Sequence, residues 1–342
     1  MWKYIVKRIV LALITAFIIL SLTFILLKML PPTKSVGTPA QQAAYYDNEV
    51  RLGFMYSSTE DTGATFVDKV IFNDGRVIYY YKTPVMQQYA SWLRNIVTKW
   101  DWGLSTKIQP NVKVTAIMAP RLWTSMKINI FSVIFSVPIG IGLGIWAALK
   151  KNKPTDHIIS TLVMVFISVP SFVLIIFLML LLCYNNAVLP SQWPSSTDPQ
   201  SWKVLGYILP VFCLSFGSIC GYTRFVRAEL CEVMESEYLL LARTKGLTRG
   251  QAIMRHALKN AMVPIFPSIL AEFIGIMGGS MVLEGLYGIP GIGRLFVTAL
   301  GTKDYNVLFV DMAIFTTFSL LAGILFDMSY GIIDPRIRMG AR

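Results

Sequence analysis

Six stretches of this sequence are long and apolar enough to cross a lipid bilayer as helices, and no other feature limits its fold as strongly. They run approximately from Ile9 to Leu30, Trp123 to Leu149, Ile158 to Tyr184, Leu205 to Val226, Pro264 to Leu286 and Val307 to Ile332. About 20 apolar residues are needed to span the hydrocarbon core as a helix. A soluble chain of 342 residues would space its apolar residues at a helix or strand period instead of gathering them in runs. Charged residues are only 15% of the chain, against roughly 25% in an ordinary soluble domain, so lipid is the expected solvent. The first run follows Lys3, Lys7 and Arg8. It is too long for a signal peptide and no small-residue cleavage pattern follows it, so it reads as a retained span.

The net charge of +12 has its first use in orientation. Lys and Arg in short connections collect on the cytoplasmic side. The N-terminus, Lys150 to His157, Glu229 to Pro264 and the tail "DPRIRMGAR" all carry basic excess, and they alternate correctly for six spans with both termini cytoplasmic. The expected partner of this charge is membrane lipid, not nucleic acid. The segments Pro31 to Arg121, Asn185 to Lys203 and Tyr287 to Asn306 then lie outside. The first far exceeds an ordinary connection and carries "KVIFNDGRVIYYYK", two strand-like runs about an Asn-Asp-Gly turn. The expected organisation is a tail and first span over 1–30, an extracytoplasmic subdomain over 31–121, and a five-helix core over 122–342. The fold class is all-α and polytopic, with a small external α/β insertion.

One long passage in the C-terminal half is polar: "EYLLLARTKGLTRGQAIMRHALKNAMVP", Glu237 to Pro264. It reads as two short helices over 236–263. Ser236 is placed to cap the first, Gly246 to end it in the left-handed conformation, and Thr248 with Gln251 to form a capping box for the second. Ile253, Ala257, Leu258 and Ala261 share one stripe, with Arg249, Arg255 and Lys259 largely elsewhere. Tethered to the bilayer at both ends, this hairpin is a poor DNA reader. It is either a surface-lying amphipathic loop or a docking surface for a cytoplasmic partner.

No G-x-x-x-x-G-K-[ST] phosphate loop and no H-E-x-x-H metal motif occurs. Four scattered cysteines, with no CxxC pair, suggest neither a disulfide framework nor a zinc site. The two histidines, His157 and His256, lie near cytoplasmic surfaces and fit no Ser-His-Asp set. No catalytic residue and no metal ligand is expected. Glu272 falls inside the fifth span, where an ionised group is costly. It is either a pathway residue that meets a substrate's backbone or amine, or a hydrogen-bonded packing residue. Asp311 and Asp327 are expected to reach the interfaces, and Arg224 and Arg227 to snorkel. The glycines at 140, 142, 144, 275, 278 and 279 permit close helix approach.

The passage "ARTKGLTRGQAIMRHALKNAMVP" resembles the cytoplasmic coupling motif of ABC-importer permeases in its dipeptide and oligopeptide variant. "WDWGLS", "IGIGLGIWAALKKNKPTD", "GGSMVLEGLYGIPGIGRLF", "KDYNV" and "YGIIDPRIR" resemble further family blocks in the expected order. The general motif's Glu-Ala-Ala is here Leu240, Leu241 and Ala242, and His256, Leu258 and Lys259 depart from its ending. The likeness is to B-type oligopeptide permease subunits and implies the type I ABC-importer fold. It implies that Ala242, Arg243, Lys245, Gly246, Leu247, His256 and Asn260 couple to a cytoplasmic ATPase. It also implies that "EGLYGIPGIGR", with Glu284, Pro290, Gly291 and Gly293, belongs to the external gate and the docking face for a substrate-binding protein. The implied partners are a second homologous permease, two ABC ATPase subunits that bind the ATP and Mg, and an extracytoplasmic peptide-binding protein. This chain itself would bind no cofactor. A dipeptide or nickel importer stays open, as does a gradient-driven secondary transporter, although neither paired mid-membrane charges nor an inverted repeat is evident.

Overall fold

A computed structural model describes residues 2–333 of the chain, apart from 33, 36, 64, 186, 187 and 276–278. The basic tail from Asp334 onward and Gly278 therefore lie outside the described residues. The chain forms two compact units, one of residues 1–10, 123–294 and 318–342, the other of residues 11–122 and 295–317.

The elements are, in order, α1 (Trp2–Met29), α2 (Pro39–Arg51), β1 (Met55–Ser58), β2 (Phe66–Ile71), β3 (Val77–Lys82), α3 (Val85–Lys99), α4 (Val114–Leu149), α5 (Pro154–Ile167) and α6 (Ser171–Leu178). A π-helical turn, Met179–Tyr184, prolongs α6. Then come α7 (Gln200–Met234), α8 (Glu237–Thr244), α9 (Arg249–Ala252), a second π-helical turn (Ile253–Ala257), α10 (Leu258–Gly275), α11 (Met281–Tyr287), α12 (Ile292–Thr302) and α13 (Tyr305–Ile333).

Among the described residues, four helices are long and apolar enough to cross a membrane: α1, α4, α7 and α13. The third expected span is not one helix. α5 and α6 meet at a bend of 96°, because Pro170 lacks a donor and disfavours helix in the residue before it. The fifth expected span is divided as well. α10 begins before Pro264, contains both Pro264 and Pro267, and gives way to a segment where Gly279 has φ +69° before α11 starts. The connection expected between Tyr287 and Asn306 is largely the apolar helix α12.

In the larger unit, α4 and α7 approach through glycine. A Cβ on Gly140 would lie 2.7 Å from the Tyr222 Cβ and 3.0 Å from the Ile219 carbonyl oxygen; one on Gly144 would lie 2.7 Å from the Val226 Cβ and 2.8 Å from the Thr223 carbonyl oxygen. The four-residue spacing puts both on one helix face. Thr223 Oγ1 donates to the Gly140 carbonyl at 3.3 Å across the same contact. The apolar layer continues with Val226 and Ile265, while Ile128, Ile175, Leu209, Cys213, Leu283 and Tyr287 form another cluster.

The second unit contains the expected hairpin and more. β2 and β3 pair antiparallel with Val70 opposite Ile78, β1 adds to the other side of β3, and the order is β1-β3-β2. Gly75 turns the hairpin at φ +83°. α2 starts at a capping box made by Thr38 and Gln41 and lays Tyr46 on Tyr80, ring centroids 4.6 Å apart. Tyr46 donates to Asp68 at 2.6 Å. Phe24 of α1 stacks on Trp92 of α3 at 4.9 Å and meets Phe309 edge-on at 5.9 Å.

The glycine contact predicts different outcomes for neighbouring alanines. Gly142 has open space about its Cβ position, so Gly142→Ala gains helix propensity of up to about 1 kcal/mol. Gly144→Ala overpacks α7, at a cost of ~1–3 kcal/mol. Thermal unfolding of the detergent-solubilised protein distinguishes them; equal midpoints would show that the close approach is not stabilising.

Candidate functional site

The polar hairpin is built as follows. α7 continues past the expected span to Met234, and α8 follows with Ser236 at its N-cap position. The Ser236 hydroxyl does not cap, because it donates back to the Val233 carbonyl at 2.6 Å. α8 ends where Gly246 takes φ +94°, its N–H bonded to the Arg243 carbonyl at 3.0 Å. No atom lies within 4 Å of a Cβ there. Conformation, not space, selects glycine at this turn.

Thr248 and Gln251 make the reciprocal capping box. The second helix is not short, however. α9, the π-helical turn and α10 follow one another without a break from Arg249 to Gly275. No glycine interrupts 251–263, and a lipid-facing helix can carry an internal proline when neighbours absorb the lost bond. The π-helical turn itself carries the exposed residues Met254, Arg255 and His256; such insertions recur at functional sites.

One face of the hairpin is packed and the other is open. Leu239, Ala252, Ile253, Ala257 and Ala261 are buried with Ala148 of α4 and Leu230 and Cys231 of α7. Leu247 packs against that group, and Ala242 is half-buried. Arg243, Lys245, Gly246, His256 and Asn260 are exposed. Around them are exposed apolar side chains: Leu240 at 63%, Leu241 at 56% and Met254 at 66%. Large apolar groups thus stand among basic ones on one ordered element.

Behind the hairpin, the Lys151 ammonium donates to Glu235 and is held above its ordinary range by that carboxylate. Arg227 does not snorkel: its guanidinium grips Asp156. Asp327 pairs with Arg8 at 3.1 Å. The Asp311 side chain is fully buried and does not reach the protein surface.

The expected pathway residues are placed in two groups. Glu272 of α10 is half-buried and accepts from the Ser218 hydroxyl and the Tyr222 phenol, both on α7. Glu284 is buried. Its carboxylate accepts from Ser125 Oγ at 2.7 Å, the Arg294 N–H at 2.9 Å and the Ser280 N–H at 3.3 Å. Ser125 Oγ in turn accepts the Ile292 N–H at 2.9 Å. Gly291 and Gly293 are buried beside it, and Pro290 is exposed. A Cβ on Gly291 would stand 2.3 Å from Glu284 Oε2 and 2.5 Å from Ser125 Oγ; one on Gly293 would stand 2.8 Å from the Met281 nitrogen. The spacing Glu-x₆-Gly-x-Gly thus reads, in space, as a loop wound round a carboxylate.

Sequence reasoning missed Asp304. It is fully buried and accepts from the N–H groups of Thr106, Lys107 and Ile108 at 3.1, 3.0 and 3.1 Å and from Ser105 Oγ at 2.6 Å. This joins "WDWGLS" to "KDYNV", blocks far apart in the chain. An Asp that starts a helix normally suggests only a cap, so nothing local signals the longer reach.

The family described as "Binding-protein-dependent transport system inner membrane component" matches residues 140–339. The chain is 30% identical over 339 residues to the oligopeptide transport system permease protein OppB of Haemophilus influenzae, covering 99% of this chain and 100% of that one. It is 31% identical over 340 residues to the dipeptide transport system permease protein DppB of Lactococcus lactis subsp. cremoris, again covering 99% and 100%. Its fold is similar to that of a chain in inward-facing conformations of the MetNI methionine ABC transporter, with TM-score 0.51, 16% identity, and coverage of 64% of this chain and 97% of the other. A chain of an amino acid ABC transporter gives TM-score 0.50 at 18% identity, covering 64% and 94%.

The Glu284 loop generates a prediction. Gly291→Ala must displace the carboxylate or Ser125 and leave buried donors without an acceptor, at ~1–3 kcal/mol. Glu284→Gln keeps the shape and loses less. A lower unfolding temperature for Gly291→Ala than for Glu284→Gln supports this order; the reverse would show that charge, not space, governs the loop.

Proposed function

On the premise that the chain belongs to the family of binding-protein-dependent transport system inner membrane components, we propose how it acts: as the cytoplasmic-membrane permease subunit of an ATP-driven importer for peptides. The observation that carries this is likeness at full length, to oligopeptide and to dipeptide permeases alike. Those two likenesses differ little in identity, so peptide is the substrate class and its length is set by another component, such as the extracytoplasmic binding protein.

The hairpin is the place where energy enters. The chain has no phosphate-binding loop of its own, so ATP and Mg act on two partner ATPase subunits. Leu240, Leu241 and Met254 would fill a groove on one ATPase, with Arg243, Lys245, His256 and Asn260 at its rim. Ala242, Gly246 and Leu247 shape the turn that enters it. Closure of the ATPases would then push on α7 and α4 through the packed face of the hairpin. A second homologous permease completes the pathway, and both termini of this chain are cytoplasmic.

Glu272 lies where a carboxylate is costly unless used. Its polar partners Ser218 and Tyr222 make it an acceptor for a peptide amine or N–H in transit. The Glu284 loop with Pro290, Gly291 and Gly293 holds the outer end of the pathway in shape for the binding protein.

Two measurements check this reading. A tagged wild-type chain is expected to co-purify with an ATPase pair that Gly246→Trp loses while retaining the second permease; ATPases absent from the wild-type preparation would overturn it. Glu272→Ala is expected to lower peptide uptake about tenfold, as loss of one charged hydrogen bond implies. Unchanged uptake and unchanged peptide-stimulated hydrolysis would remove Glu272 from the pathway.

A further inference from the structure

Asp156, in the first turn of α5, is 1% exposed, yet it faces no proposed substrate or partner. Its two oxygens take four donors: Arg227 Nε at 2.5 Å, Arg227 Nη2 at 2.8 Å, the Asn152 N–H at 3.0 Å and Ser160 Oγ at 3.3 Å. Two parallel bonds from a guanidinium fix both distance and orientation, which a single point charge cannot do. Asn152, whose N–H the same carboxylate holds, has φ +62°. The α4–α5 loop is therefore shaped by a residue in the first turn of α5.

Arg227 stands two turns before α7 ends at Met234. The same loop reaches α7 a second time, through Lys151 and Glu235. Glu235 immediately precedes the N-cap of α8. That second pair is 71% exposed on the Glu235 side, and pairs of this kind contribute little. The Asp156 pair differs, since the Asp156 side chain is 1% exposed and removing Arg227, itself 31% exposed, would leave that charge uncompensated inside the protein.

These links meet the apolar group that seats the hairpin. Ala148 at the end of α4, Leu230 and Cys231 of α7, Leu239 of α8 and Ala252, Ile253, Ala257 and Ala261 pack together. The hairpin is thus joined to α4 and α7 by packing, and α5 is joined to α7 by the ion pair of its buried Asp156. α5 then packs along α7 and turns through 96° into α6.

We propose that Asp156 and Arg227 are positioning residues that make the hairpin, the end of α7 and the head of α5 one rigid body. A displacement received at α8 is then delivered to the bent α5–α6 pair. This rests on the reading of the hairpin as the ATPase-coupling element, and adds to it a route into the part of the membrane domain that the hairpin does not itself seat.

The test uses the assembled importer in proteoliposomes, with its second permease, ATPases and binding protein. Asp156→Asn is expected to retain the ATPases and its basal hydrolysis, while peptides imported per ATP fall about tenfold, the scale of an ordinary coupling free energy. Arg227→Lys, which keeps the charge and loses the fork, should fall between the two. Wild-type stoichiometry in Asp156→Asn overturns the proposal. If Asp156→Asn does not assemble, the otherwise wild-type complex carries nitroxides on Lys153→Cys and Glu237→Cys, since the native cysteines are buried. One rigid body keeps that separation unchanged between nucleotide-free and ATP-bound states; a shift of about 5 Å, one helical turn, overturns the proposal. Failure of the underlying reading is seen separately, as ATPases retained by Gly246→Trp.

Discussion

A backbone that leaves helical geometry must find new partners for the N–H groups that a helix would have paired. Three buried carboxylates supply them. Asp304 takes three successive N–H groups of residues 106–108. Glu284 takes those of Ser280 and Arg294, and Asp156 that of Asn152. A carboxyl group offers lone pairs to several donors at once, so one side chain organises a whole non-helical segment. The regular helices need no such help. These segments do, and each carboxylate sits beside a turn that redirects the chain: into α5, into α12 and into α13.

The same arrangement accounts for the glycines. Gly291 and Gly293 are small because the Glu284 carboxylate and the Met281 backbone already occupy the space a Cβ would take. Gly140 and Gly144 are small for another reason: α7 backbone carbonyls lie at 2.8 to 3.0 Å from where their Cβ atoms would be. A helix pair packed that closely moves as a unit, because neither partner can slide without collision. A hairpin seated on the ends of both helices consequently rests on a stiff body. Its own turn is stiff too, with one capping box and one left-handed glycine.

Much of this was legible in the sequence. The apolar runs locate α1, α4, α7 and α13, because burial in lipid requires length and little else. The Thr248–Gln251 box, the end of α8 at Gly246 and the β2–β3 hairpin were all readable, since each depends on residues a few positions apart. The family blocks "WDWGLS" and "KDYNV" were visible as motifs, but their contact through Asp304 was not. Arg227 looked like an interfacial charge and is the half-buried ion-pair partner of Asp156. Asp311 looked interfacial and is fully buried.

What the sequence by itself determined is therefore local: which segments prefer lipid, where helices start and stop, and which turns need glycine. Tertiary structure decided the rest. It set whether a proline bends a helix, as Pro170 does, or is carried inside it, as Pro264 and Pro267 are. It also set which donors each carboxylate meets. Propensity and capping are energies of neighbours along the chain, whereas the cost of burying a charge or crowding a glycine depends on atoms brought together from a hundred or more residues away.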